Sequence, residues 1–227
     1  MPGFADQFLH LLTTFPAPPP LPGGVEAYNP YQLPAARELL PRFAHRFYSD
    51  GPPRVALLGI NPGRFGAGTT GIAFTDPDAL ARHCGIANDV PRRAELSSQF
   101  VYRVIEAFGG AEAFYRQFYL SSVYPLVLLR QGLNYNYYDA PALTRALLPE
   151  LRTSLRRQVE ELGLARHAAV CLGRRNGQFL TRLNDELGLF QQLHILDHPR
   201  YVMQYKRREV PAYVEQYLRV LEGCMTK

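Results

Sequence analysis

The sequence predicts an α/β protein in which helices cover both faces of a central four-stranded, mostly parallel sheet, giving three layers (α/β/α). Two observations predict it. Four short, continuous apolar runs read as strands buried on both faces: RVALLGI (54–60), FYLSSVY (118–124), HAAVCLG (167–173) and LHILDH (193–198). Helical patterns lie between them, and strand alternating with helix is the mark of a parallel sheet. At 227 residues the chain can bury a full core and is expected to form one domain over 1–227.

FADQFLHLLTTF opens the chain, with Phe4, Phe8, Leu11, Leu12 and Phe15 at helical spacing. PAPPPLPGG forbids helix and reads as an extended connector, so residues 1–50 form an N-terminal helical extension. ARELLPRFAHRFY is helical again, kinked at Pro41, and leads to the first strand. In DPDALARHCG, Asp76 is the N-cap and Pro77 the first helical residue. SSQFVYRVIEAFGG closes on a glycine C-cap, and AEAFYRQF precedes the second strand. ALTRALLPELRTSLRRQVEELG is expected to break at Pro149; GQFLTRLNDELG and VPAYVEQYLRVLEG complete the helices.

Composition is ordinarily globular, with 47% hydrophobic and 20% charged residues. No apolar run approaches the roughly 18 residues of a membrane helix, and no basic segment precedes an apolar one, so a soluble, cytoplasmic protein is expected. The three cysteines are scattered outside any Cys-x-x-Cys pair, which argues for a reducing compartment and against Cys-ligated zinc or an iron–sulfur cluster. The six histidines are dispersed, so neither metal nor cofactor is expected. Between Arg166 and Arg208, eight basic residues face three acidic ones, an excess equal to the whole chain's +5. That charge fits one electropositive surface, and equally a set of solvated helix faces.

In parallel sheets, functional groups lie beyond the carboxyl ends of the strands. After the first strand comes Asn61-Pro62-Gly63, then GRFGAGTTGIAF. A dinucleotide fingerprint would lead directly into a helix, and a P-loop would end in Gly-Lys-Ser/Thr; neither is present. The glycines alone fit a flexible loop as well as a pocket floor, on which Phe74 offers a stacking face. After the second strand, Ser121-Ser122 places hydroxyls at a buried strand end, where they need partners. After the fourth, His198-Pro199 sets an imidazole at a rigid exit. A lone histidine is more often structural, but this one precedes Arg200, Lys206, Arg207 and Arg208 interleaved with Tyr201, Met203 and Tyr205. That mixture suits contact with phosphates and a base stack.

GINPGRFGAGTTGIAF followed far downstream by HPR resembles the two signature segments of the uracil-DNA glycosylase superfamily. The likeness is to its single-strand-selective monofunctional branch and smaller bacterial relatives, over about Arg54 to Arg208. The resemblance implies a monofunctional enzyme of base excision repair that hydrolyses the bond between a damaged base and deoxyribose. It acts without cofactor or lyase activity, as a monomer on single- or double-stranded DNA, in a bacterial cytoplasm and at the nucleoid, with no membrane partner. Asn61 would position the attacking water, and His198 would donate a hydrogen bond to O2 of the departing base. Phe74 would stack on the base, with backbone N–H groups near Ile60 and Phe74 on its carbonyl edge. Gly63 stands where the strict uracil branch carries a bulky aromatic, so it leaves room for 5-substituted uracils such as 5-hydroxymethyluracil.

Ser122 (Ser121 in a register one residue earlier) stands where that branch has an asparagine. A rotatable hydroxyl there implies weaker discrimination and acceptance of xanthine or hypoxanthine. Asn134 or Asn136 would restore an amide from a loop, or simply belong to an Asn-Tyr-rich turn. The segment 200–208 matches the DNA-intercalating position, with Arg200, Tyr201 and Met203 the candidate wedges. Arg64, Arg174 and Arg175 would hold phosphates or be ordinary surface arginines. Two other readings remain: a lesion-binding module of the same fold without catalysis, and a phosphate-binding α/β enzyme resting on the glycine loop alone.

Overall fold

In the computed structural model residues 3–49, 51 and 53–225 are described; Met1, Pro2, Asp50, Pro52, Thr226 and Lys227, part of the expected 1–227 unit, lie outside the described residues. Helix α1 (Phe4–Thr13) turns Phe4, Phe8, Leu11 and Leu12 into the core, as their spacing predicts. The proline-rich connector forms no helix or strand and ends in a Gly23-Gly24 turn, from which β1 (Val25–Tyr28) starts. α2 (Pro34–Phe47) runs through Pro41, and β2 (Val55–Gly59) is buried along its whole length. A single turn, α3 (Ala67–Thr70), precedes α4 (Pro77–Cys84), capped as expected: the Ala79 N–H donates to Asp76 Oδ1 at 2.8 Å. α5 (Leu96–Phe108) closes on a left-handed Gly109, and α6 (Ala111–Gln117) leads into β3 (Phe118–Ser122). β4 (Val127–Arg130), β5 (Leu133–Asn134), α7 (Pro141–Glu161), β6 (Ala169–Leu172) and α8 (Arg174–Leu187) follow. β7 (Leu193–Leu196), α9 (Pro199–Tyr205) and α10 (Val210–Cys224) complete the order.

The central sheet has the strand order β3-β2-β6-β7, with every neighbouring pair parallel and helices on both faces. The three-layer expectation is met. Of the four strands the first in sequence, β2, is flanked by the second and third, so the strand order reverses beside it. That reversal opens a crevice beyond the carboxyl end of β2, where ligands of open α/β sheets bind.

Three features depart from the expectation. α7 does not break at Pro149: the residue is exposed, so the carbonyl it leaves unbonded can be hydrated, while buried Leu143, Leu147, Leu151 and Leu155 hold both halves on one face. The basic segment after His198 contains a two-turn helix, α9. A second, antiparallel sheet, β1-β4-β5, also exists. Its strands are too short to show a period, and Val25 pairs with Arg130, a separation that no local pattern reveals. The β4–β5 hairpin turns at Gln131 and Gly132 with φ of 51° and 70°, the double left-handed geometry of a tight two-residue turn.

The N-terminal extension packs into the main core. Phe4 and Phe8 set their edges against Tyr48 at 5.2 and 5.1 Å, contacts worth about 0.5–1.5 kcal/mol each beyond area burial. Arg54, fully buried at the start of β2, donates to the Tyr115 carbonyl at 2.7 Å and lies over the rings of Phe4 and Tyr48. Among the described residues no helix is long and apolar enough to cross a membrane.

Candidate active site

The chain leaves β2 at the point of strand-order reversal and builds the wall of a cavity of about 710 Å³. Ile60, Asn61, Gly63 and Phe74 line it from this loop, Ser122 from the end of β3 and His198 from the end of β7. The structure thus brings together all six residues expected to hold or cleave a base. Ser122, rather than Ser121, lines the cavity.

Asn61 is held by main chain. Its Nδ2 donates to the Tyr135 carbonyl at 3.0 Å and its Oδ1 accepts from the Tyr137 N–H at 3.3 Å. These two bonds fix which end of the amide is oxygen, and leave one N–H and one oxygen lone pair for a ligand. An amide so placed can orient a water by accepting its hydrogen, but cannot remove a proton.

His198 caps α9, and its Nδ1 accepts the Arg200 N–H at 3.2 Å. The neutral ring therefore carries its proton on Nε2 and can donate it. Burial, reinforced by the Arg200 charge, lowers its pKa from 6.5 to about 4, so the imidazole is neutral at physiological pH. Its neighbour Phe74, ring centroids 6.0 Å apart, has a left-handed backbone with φ of 53°. An aromatic residue rarely adopts that conformation, which is costly unless its surroundings impose it. Here the ring lies against β2: a Cβ on Gly59 would stand 2.5 Å from Phe74 Cζ. Gly59 is the residue that admits the ring.

A charged lining residue escaped the sequence reading. Glu95, just before α5, turns its carboxyl to the glycine loop, with no hydrogen bond or ion pair to it among the described residues. Burial, then the neighbouring Asp76 carboxylate, raise its pKa from 4.5 to about 7 against the opposing pull of Arg200. Between those values the folded protein holds a proton that the unfolded chain releases, so stability falls as pH rises from 4.5 through 7. Glu95→Gln is expected to raise Tm at pH 8 by about 2–4 °C for each kcal/mol relieved, with the gain vanishing near pH 4. Thermal denaturation at the two pH values checks this, and an equal Tm at pH 8 would contradict it.

The predicted nucleic-acid contacts divide. Arg200 and Tyr201 line the cavity mouth, and Tyr201 and Tyr205 are 40% and 66% exposed with rings 5.5 Å apart. Met203 is 5% exposed: it faces the core on the other side of α9 and is not available as a wedge. Leu133, missed in the sequence, lines the mouth at the hairpin tip and is 61% exposed. Arg64 also lines the cavity, but its guanidinium donates to the Gly132 carbonyl and stacks on Phe65, bracing the hairpin. Arg174 pairs with Asp197 at 2.6 Å, and Arg175 donates to the Tyr138 carbonyl; both open α8 away from the cavity wall. Lys206 pairs with Glu209 at 3.0 Å, while Arg207 and Arg208 are exposed on the turn before α10.

A three-layer α/β/α fold thus sets a fixed amide after the first strand of its sheet and a neutral imidazole donor after the last in one cavity, the arrangement of an α/β enzyme site at a strand-order reversal. Residues 45–222 match the model of the uracil DNA glycosylase superfamily, and the chain belongs to that superfamily. Among curated proteins it is 30% identical over 186 residues to the single-strand selective monofunctional uracil-DNA glycosylase of Rattus norvegicus, covering 71% of this chain and 64% of that one. The corresponding protein of Bos taurus is 29% identical over 136 residues, 52% of this chain and 50% of that one. The match thus spans about half to just under two thirds of these relatives' length. A crystal structure described as wild-type Pedobacter heparinus SMUG2 superposes with a TM-score of 0.94 at 38% identity, covering 98% of both chains. The resemblance seen in the two signature segments is borne out.

Proposed function

We propose that this chain is a monofunctional DNA glycosylase that hydrolyses the bond between deoxyribose and uracil or a related damaged base. The observation that carries the reading is the pairing of Asn61, clamped at both ends of its amide, with a neutral, Nε2-donating His198 in one cavity. As the C1′–N bond breaks, positive charge grows on the sugar and negative charge on the base. His198 donates to the base O2 where that charge gathers, and Asn61 holds the water whose oxygen bonds to C1′. The base leaves with the bonding electrons as an anion, the water loses one proton to solvent as the abasic sugar forms, and the base anion takes one proton from solvent.

Extruding the base costs a few kcal/mol, least from single strands or mispairs. Tyr201, Tyr205 and Leu133 at the mouth offer apolar surface to the vacated stack, and Arg200, Arg207 and Arg208 offer charge to phosphates. The chain's two lysines are Lys206 and Lys227, and Lys206 is ion-paired away from the cavity wall, which supports hydrolysis without a Schiff base. Packing of the N-terminal extension into the main core supports one working unit over 1–227.

Ser122 supports a wide base range. Ser122→Asn is expected to lower xanthine and hypoxanthine release relative to uracil by about tenfold, the effect of one misplaced hydrogen bond. Product ratios from mixed oligonucleotides measure it, and an unchanged spectrum would remove Ser122 as the reader. The reading as a whole is tested by a cleavage panel without added metal. Oligonucleotides carry uracil, 5-hydroxymethyluracil, xanthine or hypoxanthine, single- and double-stranded, and are treated with alkali afterwards. Alkali-dependent breaks support it; salt-sensitive binding without breaks would favour a lesion-binding module.

A further inference from the structure

Leu147, Leu151 and Leu155 bury one face of α7, and two polar residues a turn apart, Ser154 and Gln158, are buried with them. Both are fully engaged. Gln158 Nε2 donates to the Ser122 carbonyl at 3.1 Å and to Ser154 Oγ at 3.0 Å, while its Oε1 accepts the Tyr119 hydroxyl at 3.0 Å. Ser154 Oγ in turn donates to the Val123 carbonyl at 3.0 Å. The two carbonyls can only accept, so the direction of each bond follows and the side-chain amide is fixed. A buried network satisfied at every member makes its surroundings rigid.

The network stands where the sheet has no further strand. β3 is an edge strand, so no outer neighbour serves the carbonyls at its end, and α7 supplies the donors instead. The same two peptides are held from the other side by the chain leaving β2. The Val123 N–H donates to the Gly59 carbonyl at 2.9 Å, and the Tyr124 N–H to the Ile60 carbonyl at 3.1 Å. Gly59 and Ile60 directly precede Asn61. The peptides that follow Ser122 are thus gripped between α7 and the segment that delivers Asn61, although neither Gln158 nor Ser154 lines the cavity.

We propose that Gln158 and Ser154 are positioning residues for base release, holding the end of β3 in register with the Asn61 loop from outside the cavity. This rests on the glycosylase reading above. Binding of the oligonucleotide draws on the cavity mouth, which the pair does not touch. The chemical step depends instead on how base and water are aligned, so loss of the pair is read in kcat and not in KM.

The test measures kcat and KM on single-stranded oligonucleotides carrying the base cut best in the cleavage panel, at a temperature where thermal denaturation shows each variant folded. Gln158→Met keeps the side chain's length and removes its donors; kcat is expected to fall about 10- to 100-fold, with KM within about threefold of wild type. Ser154→Ala is milder, with an expected loss in kcat of about 3- to 10-fold, the effect of one hydrogen bond, and it carries the test where Gln158→Met fails to fold. Asn184→Ala is the control for general loosening. The Asn184 amide clamps the carbonyl and N–H of Phe190 at 2.9 and 2.8 Å, ahead of β7 at the opposite end of the sheet, so its loss should lower Tm and leave kcat unchanged. An unchanged kcat in Gln158→Met and Ser154→Ala, a loss confined to KM, or an equal fall in Asn184→Ala overturns the proposal. Any of these with an active wild-type enzyme leaves the glycosylase reading standing; a wild type that cuts no base removes both.

Discussion

Asn61→Ala is expected to lower the single-turnover rate of base release by about 100-fold or more, with oligonucleotide affinity within about twofold of wild type. The amide is small and only partly buried, so its loss leaves the loop in place. What disappears is the water's orientation, whose misplacement by about 1 Å already costs about 100-fold. Asn61→Asp sharpens the test. A carboxylate keeps an acceptor for the Tyr137 N–H but brings a second oxygen against the Tyr135 carbonyl, where the native Nδ2 donates. It should therefore also fall below wild type, although a carboxylate is the stronger base. Single-turnover rates and fluorescence anisotropy separate chemistry from binding, and an unchanged rate in Asn61→Ala would take the residue out of the mechanism.

His198→Ala carries the second large effect. Removing one preorganised donor to a developing anion costs about 100- to 1,000-fold in rate. The pH dependence distinguishes the neutral donor from an imidazolium acid. With the pKa lowered to about 4, His198 is neutral across pH 6–8, so its titration produces no loss of rate over that interval. As pH falls through about 4, Nδ1 takes a proton and can no longer accept the Arg200 N–H, and the loop geometry goes with it. The linkage to stability has the same sense: this residue's contribution is complete above pH 6.5 and is lost as pH falls toward 4. A rate that halves between pH 6 and 7.5 with a histidine-like midpoint, and loses that step in His198→Ala, would contradict this account.

Much of this was legible in the sequence because the relevant physics is local. The four sheet strands are continuous apolar runs, and the strand-then-turn signals at Asn61 and His198 put both residues at carboxyl ends. Asp76 and Gly109 act as the caps their types predict. What could not be read depends on contacts distant in sequence. β1 finds β4 across most of the N-terminal half, and neither is long enough to show alternation. Glu95 stands in a stretch with no apolar period, and only its approach to Gly63 and Gly66 marks it. Arg64 and Arg175 looked like free cations because carbonyl partners leave no trace in residue types. Met203 turned inward because α9 is helical, which sets it on the face opposite Tyr201 and Tyr205.

The clamp on Asn61 has a consequence for divergence. Both of its partners are main-chain groups, the Tyr135 carbonyl and the Tyr137 N–H, and every residue type supplies the first and all but proline the second. Substitutions at 135 and 137 can therefore accumulate without turning the amide, provided the path of the hairpin persists. In distant homologues this part of the site would be inherited as a course of the backbone, and an insertion or deletion between 130 and 137 would disturb it more than any exchange of side chains.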